Sequence, residues 1–174
     1  MAKSPRNNNK GYFLIELMIA ISILTIGFMG FLTLVSRSIS TNRVISDYLT
    51  ANYLAAEGIE LIKNTIDTNY FKGNLWYDNN GALPPESQLI GDYEMDYDDG
   101  APTNVTGLPA DFLYYKDGFY NYDISGSRSP FKRTINISYP GVAGQMKVKS
   151  TVSWIGRGGN AIEIYLEDYF FDWR

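Results

Sequence analysis

The sequence predicts an α+β fold: a long N-terminal helix, membrane-spanning in its first half and amphipathic in its second, packed on an antiparallel β-sheet head. Three observations carry this. Phe13 to Ser36 is apolar over 24 positions, with Glu16 its one ionisable residue. No proline occurs between Pro5 and Pro84. The last third alternates apolar and polar residues between glycine-bearing turns, the period of half-buried strands.

At 1.5 Å rise per residue, Phe13–Ser36 forms a helix of about 36 Å, enough for a hydrocarbon core of about 30 Å. The run exceeds the apolar core of a secretory signal peptide. Arg37, Ser38 and Ile39 follow it rather than a small-residue cleavage site. Lys3, Arg6 and Lys10 precede it with no acid among them. Basic residues on that flank predict a single N-in, C-out span. Glu16 conflicts with a plain anchor. A carboxylate well inside a bilayer costs about 2.5–3.5 kcal/mol and is usually paired. Glu16 either snorkels to the interface or awaits a cation from another chain, for which a newly exposed α-amino group would serve.

These residues carry a resemblance. KGYFLIELMIAISIL resembles a class III prepilin signal: a short basic leader, a Gly, an aromatic residue, three apolar residues, a Glu and an unbroken apolar helix. The resemblance implies that prepilin peptidase cuts between Gly11 and Tyr12 and that Tyr12 becomes the N-methylated first residue. It also implies that Glu16 neutralises the N-terminal amine of a neighbouring subunit during assembly. Two departures stand out. Tyr12 replaces the commoner Phe, and Phe13 the usual Ser or Thr. The mid-helix proline common in the family is absent; Gly27, Gly30 and Thr33 occupy that neighbourhood. The glycines serve either local melting or close helix packing.

Beyond the membrane, Tyr48, Ala51, Ala55, Ile59, Ile62 and Ile66 recur at steps of three and four, with Leu54, Gly58 and Leu61 beside them. This continues the helix to Asp67. The expected organisation is a leader over 1–11, a helix over 12–67 (13–36 transmembrane, 37–67 amphipathic) and a head over 68–174. From Asn69 to Gln88 the chain reads as a loop. Ile90–Tyr97 alternates Asp92, Glu94 and Asp96 against Tyr93, Met95 and Tyr97, a strand with its acids facing water. Leu113–Lys116 and Phe119–Asp123 flank Asp117-Gly118, a tight-hairpin signal. Phe131–Tyr139, Met146–Ile155 and Ile162–Leu166 form an antiparallel meander whose apolar face the amphipathic helix covers. ANYLAAEGIELIKN and FKRTINISY with the chain after it resemble type IV pilus modification proteins of the PilV kind, which implies a pilin-like fold.

Composition narrows the chemistry. The 174 residues include no Cys and no His. This excludes disulfides, Cys-based zinc sites, thiolate catalysis and any triad needing imidazole. No cofactor and no enzymatic activity are predicted. The net charge is −4, and without residues 1–11 the chain holds 12 basic against 19 acidic residues. That balance argues against direct nucleic-acid binding. Asp92, Glu94, Asp96, Asp98 and Asp99 form an acidic cluster before Gly100. Oxygen-rich clusters suit Ca²⁺, with Asp96, Asp98 and Asp99 as the candidate ligands, but alternation in a strand explains most of the cluster as a solvated face. Eight of the 14 tyrosines fall between Tyr70 and Tyr122, a ligand face or strand packing. Gly156-Arg157-Gly158-Gly159 lacks the Lys-Ser/Thr of a phosphate loop and is read as a turn.

The resemblance implies a PilV-like minor pilin of a type IV pilus. Its implied partners are prepilin peptidase, other pilin or pseudopilin subunits, an inner-membrane assembly platform and the lipid bilayer. The precursor would be a single-pass inner-membrane protein and the assembled form part of an extracellular or periplasmic filament. Rival readings are a minor pseudopilin of type II secretion or DNA uptake, an uncleaved single-pass surface protein with a ligand-binding head, and a membrane-tethered enzyme.

Overall fold

The structure is a computed structural model that describes residues 10–78, 89–141 and 144–172. It is α+β: one long N-terminal helix, α1 (Lys10–Lys72), precedes a seven-stranded sheet. The strands are β1 (Gly91–Glu94), β2 (Thr103–Asn104), β3 (Phe112–Lys116), β4 (Phe119–Asn121), β5 (Ser127–Ser138), β6 (Gln145–Ile155) and β7 (Ala161–Phe171). All pairings are antiparallel. The chain divides into two compact units, Met1–Ser46 and Asp47–Arg174, so the boundary falls inside α1 rather than at its end.

In the first unit, α1 is continuous from Lys10 and every residue from Gly11 to Ile39 is exposed. The segment is long and apolar enough to cross a membrane. Its hydroxyls are satisfied internally: Ser22 donates to Met18 O, Thr25 to Ile21 O and Thr33 to Met29 O, at 2.7, 2.7 and 2.9 Å. Such back-bonding suits a helix surrounded by lipid, where no water is available. Gly27 and Gly30 do not break the helix, and among the described residues nothing lies within 4 Å of a β-carbon placed at either.

In the second unit, the end of α1 lies on the sheet. Ala51, Leu54, Ala55, Leu61, Ile62 and Ile66 are buried, as the helical spacing predicts. The helix runs past Asp67 to Lys72. It stops at Gly73, which adopts φ +74°. Gly73 N–H donates to Tyr70 O and Asn74 N–H to Asn69 O, at 3.1 and 2.9 Å, the bond pair of a Schellman cap. The expected loop is also less loose than its composition suggests. Trp76 is buried in the core, and Asn69 Nδ2 donates to Trp76 O and Asp78 O. The rest of the expected loop, 79–88, lies outside the described residues.

β5 organises the sheet. One edge pairs with β6 from Lys132 to Ser138. The other is shared end to end, by β3 along Ser127–Lys132 and by β1 along Ile135–Ile137. β6 and β7 then pair over eleven register positions without a shift. The predicted meander is present with longer strands. The predicted hairpin closes β3 onto β4 with Asp117 at φ +51° and Gly118 at φ +94°, the left-handed pair that an Asp-Gly turn supplies.

The inner faces of β5 and β6 alternate strictly, with Met146, Val148, Ser150, Val152 and Trp154 all buried. They form two apolar clusters against α1, one around Ile62, Ile135, Ile137 and Met146, the other around Leu54, Leu113, Phe131 and Trp154. β1 is shorter than the predicted strand. It ends at Glu94, and Tyr97 is 49% exposed while Glu94 is buried. The acids therefore do not form a solvated strand face.

Candidate functional site

Two groups of residues merit a functional reading. The first lies on the apolar part of α1. Gly11 and Tyr12 occupy the first turn, and Tyr12 is 78% exposed. Glu16 follows at i+4, so the two side chains share a face, together with Ile15, Ile19 and Ile23. Ser22, Thr25 and Thr33 turn their polar atoms back onto the helix. By contrast, no hydrogen bond or ion pair from another described residue reaches the Glu16 carboxylate. This face combines an acid with a broad apolar surround, and among the described residues of the unit nothing covers it.

The second group surrounds the carboxylates after Ile90. Asp92, Glu94, Asp96 and Asp99 are engaged locally. Asn136 Nδ2 donates to Asp92 Oδ1 at 2.7 Å. Asp111 N–H donates to Glu94 Oε1 at 2.8 Å, fastening the start of β3 to the end of β1. Tyr122 N–H donates to Asp96 Oδ2 at 2.9 Å, and Asp96 N–H donates to Asp99 Oδ2 at 2.7 Å. Burial raises the pKa of both Glu94 and Asp96 above the ordinary carboxylate range. Asp96, Asp98 and Asp99 do not converge as a Ca²⁺ donor set. Among the described residues no three acids are placed to hold a metal ion. These acids tie loops to the sheet.

At the centre stands a residue that the sequence reading missed. Arg133 is fully buried on the inner face of β5, between Phe131 and Ile135 and between the two apolar clusters. Its Nη1 lies 3.1 Å from Glu57 Oε2 on α1, and its Nη2 donates to Met95 O at 2.6 Å. Nη1 also lies 3.4 Å from Leu54 O. Tyr122 donates its hydroxyl to Arg133 O at 3.0 Å, and burial pushes the Tyr122 pKa upward. The signal was available. The odd-numbered row that predicts Ile135, Ile137 and Tyr139 as inward also contains position 133.

The tyrosines divide between packing and surface. Tyr93 is buried, and Tyr120 packs edge-on to Phe131. Tyr97 stacks on Phe119 at 4.7 Å in an open groove with Tyr53 and Glu57. Gly156–Asn160 forms the β6–β7 turn, closed by Gly156 N–H on Asn160 O at 2.9 Å. A turn between strands has no helix N-terminus to present to a phosphate.

Comparisons with family models, with curated proteins and with solved structures found no match.

Proposed function

We propose that the chain is a minor, PilV-like pilin that joins a filament through its apolar helix. The observation that carries this reading is the pairing of Tyr12 and Glu16 on one uncovered apolar helix face. Prepilin peptidase removes Met1–Gly11 and methylates Tyr12, leaving a cationic amine beside the face that bears Glu16. In a bundle of like helices, the amine of one subunit meets Glu16 of the next. Apolar burial supplies most of the cohesion and the ion pair sets the register. A spanning helix does not leave lipid spontaneously, so an assembly platform with an energy source has to withdraw it. The head, fastened by buried side chains and loop bonds, rides on the outside of the filament.

Glu16→Val tests the reading in cells that carry a type IV pilus system and its peptidase. Membrane insertion and leader removal survive, while the variant's share in sheared filaments drops by about tenfold, the equivalent of about 1.4 kcal/mol. Incorporation at the native level contradicts the role given to Glu16.

A further inference from the structure

We propose that the outer edge of β7 is a docking site for an extended segment of another polypeptide, which adds to the sheet as an eighth strand with apolar residues toward the α1 side and Lys or Arg on the opposite face. Among the described residues β7 pairs with β6 alone, and over eleven consecutive positions without a shift. Its other edge presents backbone donors and acceptors from Ala161 to Glu167; beyond it the Tyr169 N–H is already taken by Asp168 Oδ1 at 2.8 Å. Exposed edges are normally blunted by Pro, Lys, bulges or shortness. β7, AIEIYLEDYFF, has no Pro, no Gly and no Lys, and its one inner-row charge, Asp168, stands opposite Val148 toward the end of the strand, so the unprotected stretch is Ala161–Glu167.

Its inner row is also incompletely covered. Ile162 and Ile164 are half-buried at the margin of the core, and Leu166 is 37% exposed. The buried row of β6 beside them is complete. One further strand with inward apolar residues would cover what α1 leaves open.

The chemistry of the occupant can be read from β6, the neighbour that β7 already accepts. β6 turns Met146, Val148 and Val152 inward and Lys147 and Lys149 outward. Lys149 Nζ lies 4.0 Å from the Tyr165 ring centroid, and Lys147 Nζ lies 3.0 Å from Glu167 Oε1 and 5.8 Å from the Tyr169 ring. The outer row of β7 therefore recognises cations by ring faces and carboxylates. Ala161–Asp172 carries four acids and no base. A second β7 would set acid against acid, which disfavours another copy of this chain as the occupant. A strand that repeats the apolar-in, basic-out pattern of β6 fits by backbone pairing, by burial and by charge.

The test uses the full chain in a neutral maltoside detergent and an eleven-residue peptide of alternating lysine and valine as the probe. Binding is followed by fluorescence anisotropy and by amide hydrogen exchange. The expected result is slower exchange confined to β7 and its new partner edge. Glu163→Lys weakens the peptide by about tenfold, and a peptide N-methylated at alternate residues fails to bind. Three results would each overturn the proposal: unchanged β7 exchange at saturating peptide, equal binding of the N-methylated peptide, or β7 protection that appears with protein concentration alone.

Discussion

Gly58 on α1 stands so close to Ser150 on β6 that a β-carbon at Gly58 would lie 2.4 Å from Ser150 Oγ and 3.1 Å from its Cβ. It would also lie 3.3 Å from Ile135 Cγ1. Two neighbours, Ser150 and Ile135, would thus have to yield, and both are inner-row residues of the central strands. Gly58 is where the helix can lie down on the sheet. Alanine is a better helix former than glycine by about 1 kcal/mol, but overpacking a filled contact costs about 1–3 kcal/mol. Gly58→Ala therefore lowers the thermal midpoint of the full chain in detergent, and Gly58→Val lowers it further. Ser150→Gly recovers most of the loss in the Gly58→Ala background. The test is the pair of midpoints with and without the second change.

Arg133 makes a second prediction. Its side chain is fully buried while that of Glu57 is 35% exposed, so the two ends of the pair are not equivalent. Arg133→Ala strands Met95 O and removes the partner of Glu57, with an expected loss of about 3 kcal/mol. Glu57→Ala costs less, because its carboxylate already reaches water. Arg133→Met with Glu57→Leu recovers much of the loss by filling the space with apolar groups. Chemical denaturation of the three variants checks the order.

Acid stability has two opposing parts. Burial raises the folded pKa values of Glu94 and Asp96 above their ordinary values of 4.5 and 3.8. Ionising them therefore costs folded stability. Stability is gained as pH falls from the folded values toward the ordinary ones. Glu94→Gln keeps an acceptor for Asp111 N–H and flattens the pH dependence in that window. Asp123 runs the other way. Hydrogen bonds from Lys116 and Ser125 hold it down at about 2, against an ordinary 3.8. Its contribution is present above the ordinary value and lost as pH falls through about 2. Asp123→Asn removes that acid limb. Thermal midpoints measured from neutral pH downward separate the two effects.

What could be read from the sequence follows periodicity. The apolar run, the helical stripe through Ala51, Ala55 and Ile62 and the alternation of β6 were all legible, because a repeated period outweighs any single residue. The helix end was misplaced at Asp67 because Asn69 and Tyr70 look loop-like. In the structure Asn69 is buried and hydrogen-bonded, and the true stop is Gly73. The acids after Ile90 were misread for a related reason. Alternation assigns faces only while a strand lasts, and β1 ends at Glu94. Beyond it, Asp96 and Asp99 accept from backbone amides of the same loop and of β4's end, although Asp99 stays exposed. Arg133 was passed over because a guanidinium in an apolar row is acceptable only with partners from α1 and the β1 end, contacts far apart in sequence.

We propose that Glu16 is tolerable in an apolar helix because a neighbouring subunit's freed amine comes to rest against it. Intact-mass and N-terminal peptide mass spectrometry of the chain, taken from cells with active prepilin peptidase, tests this most directly. The expected mature polypeptide lacks Met1–Gly11 and begins with N-methylated Tyr12. A mature chain that still carries Met1–Gly11 would contradict it.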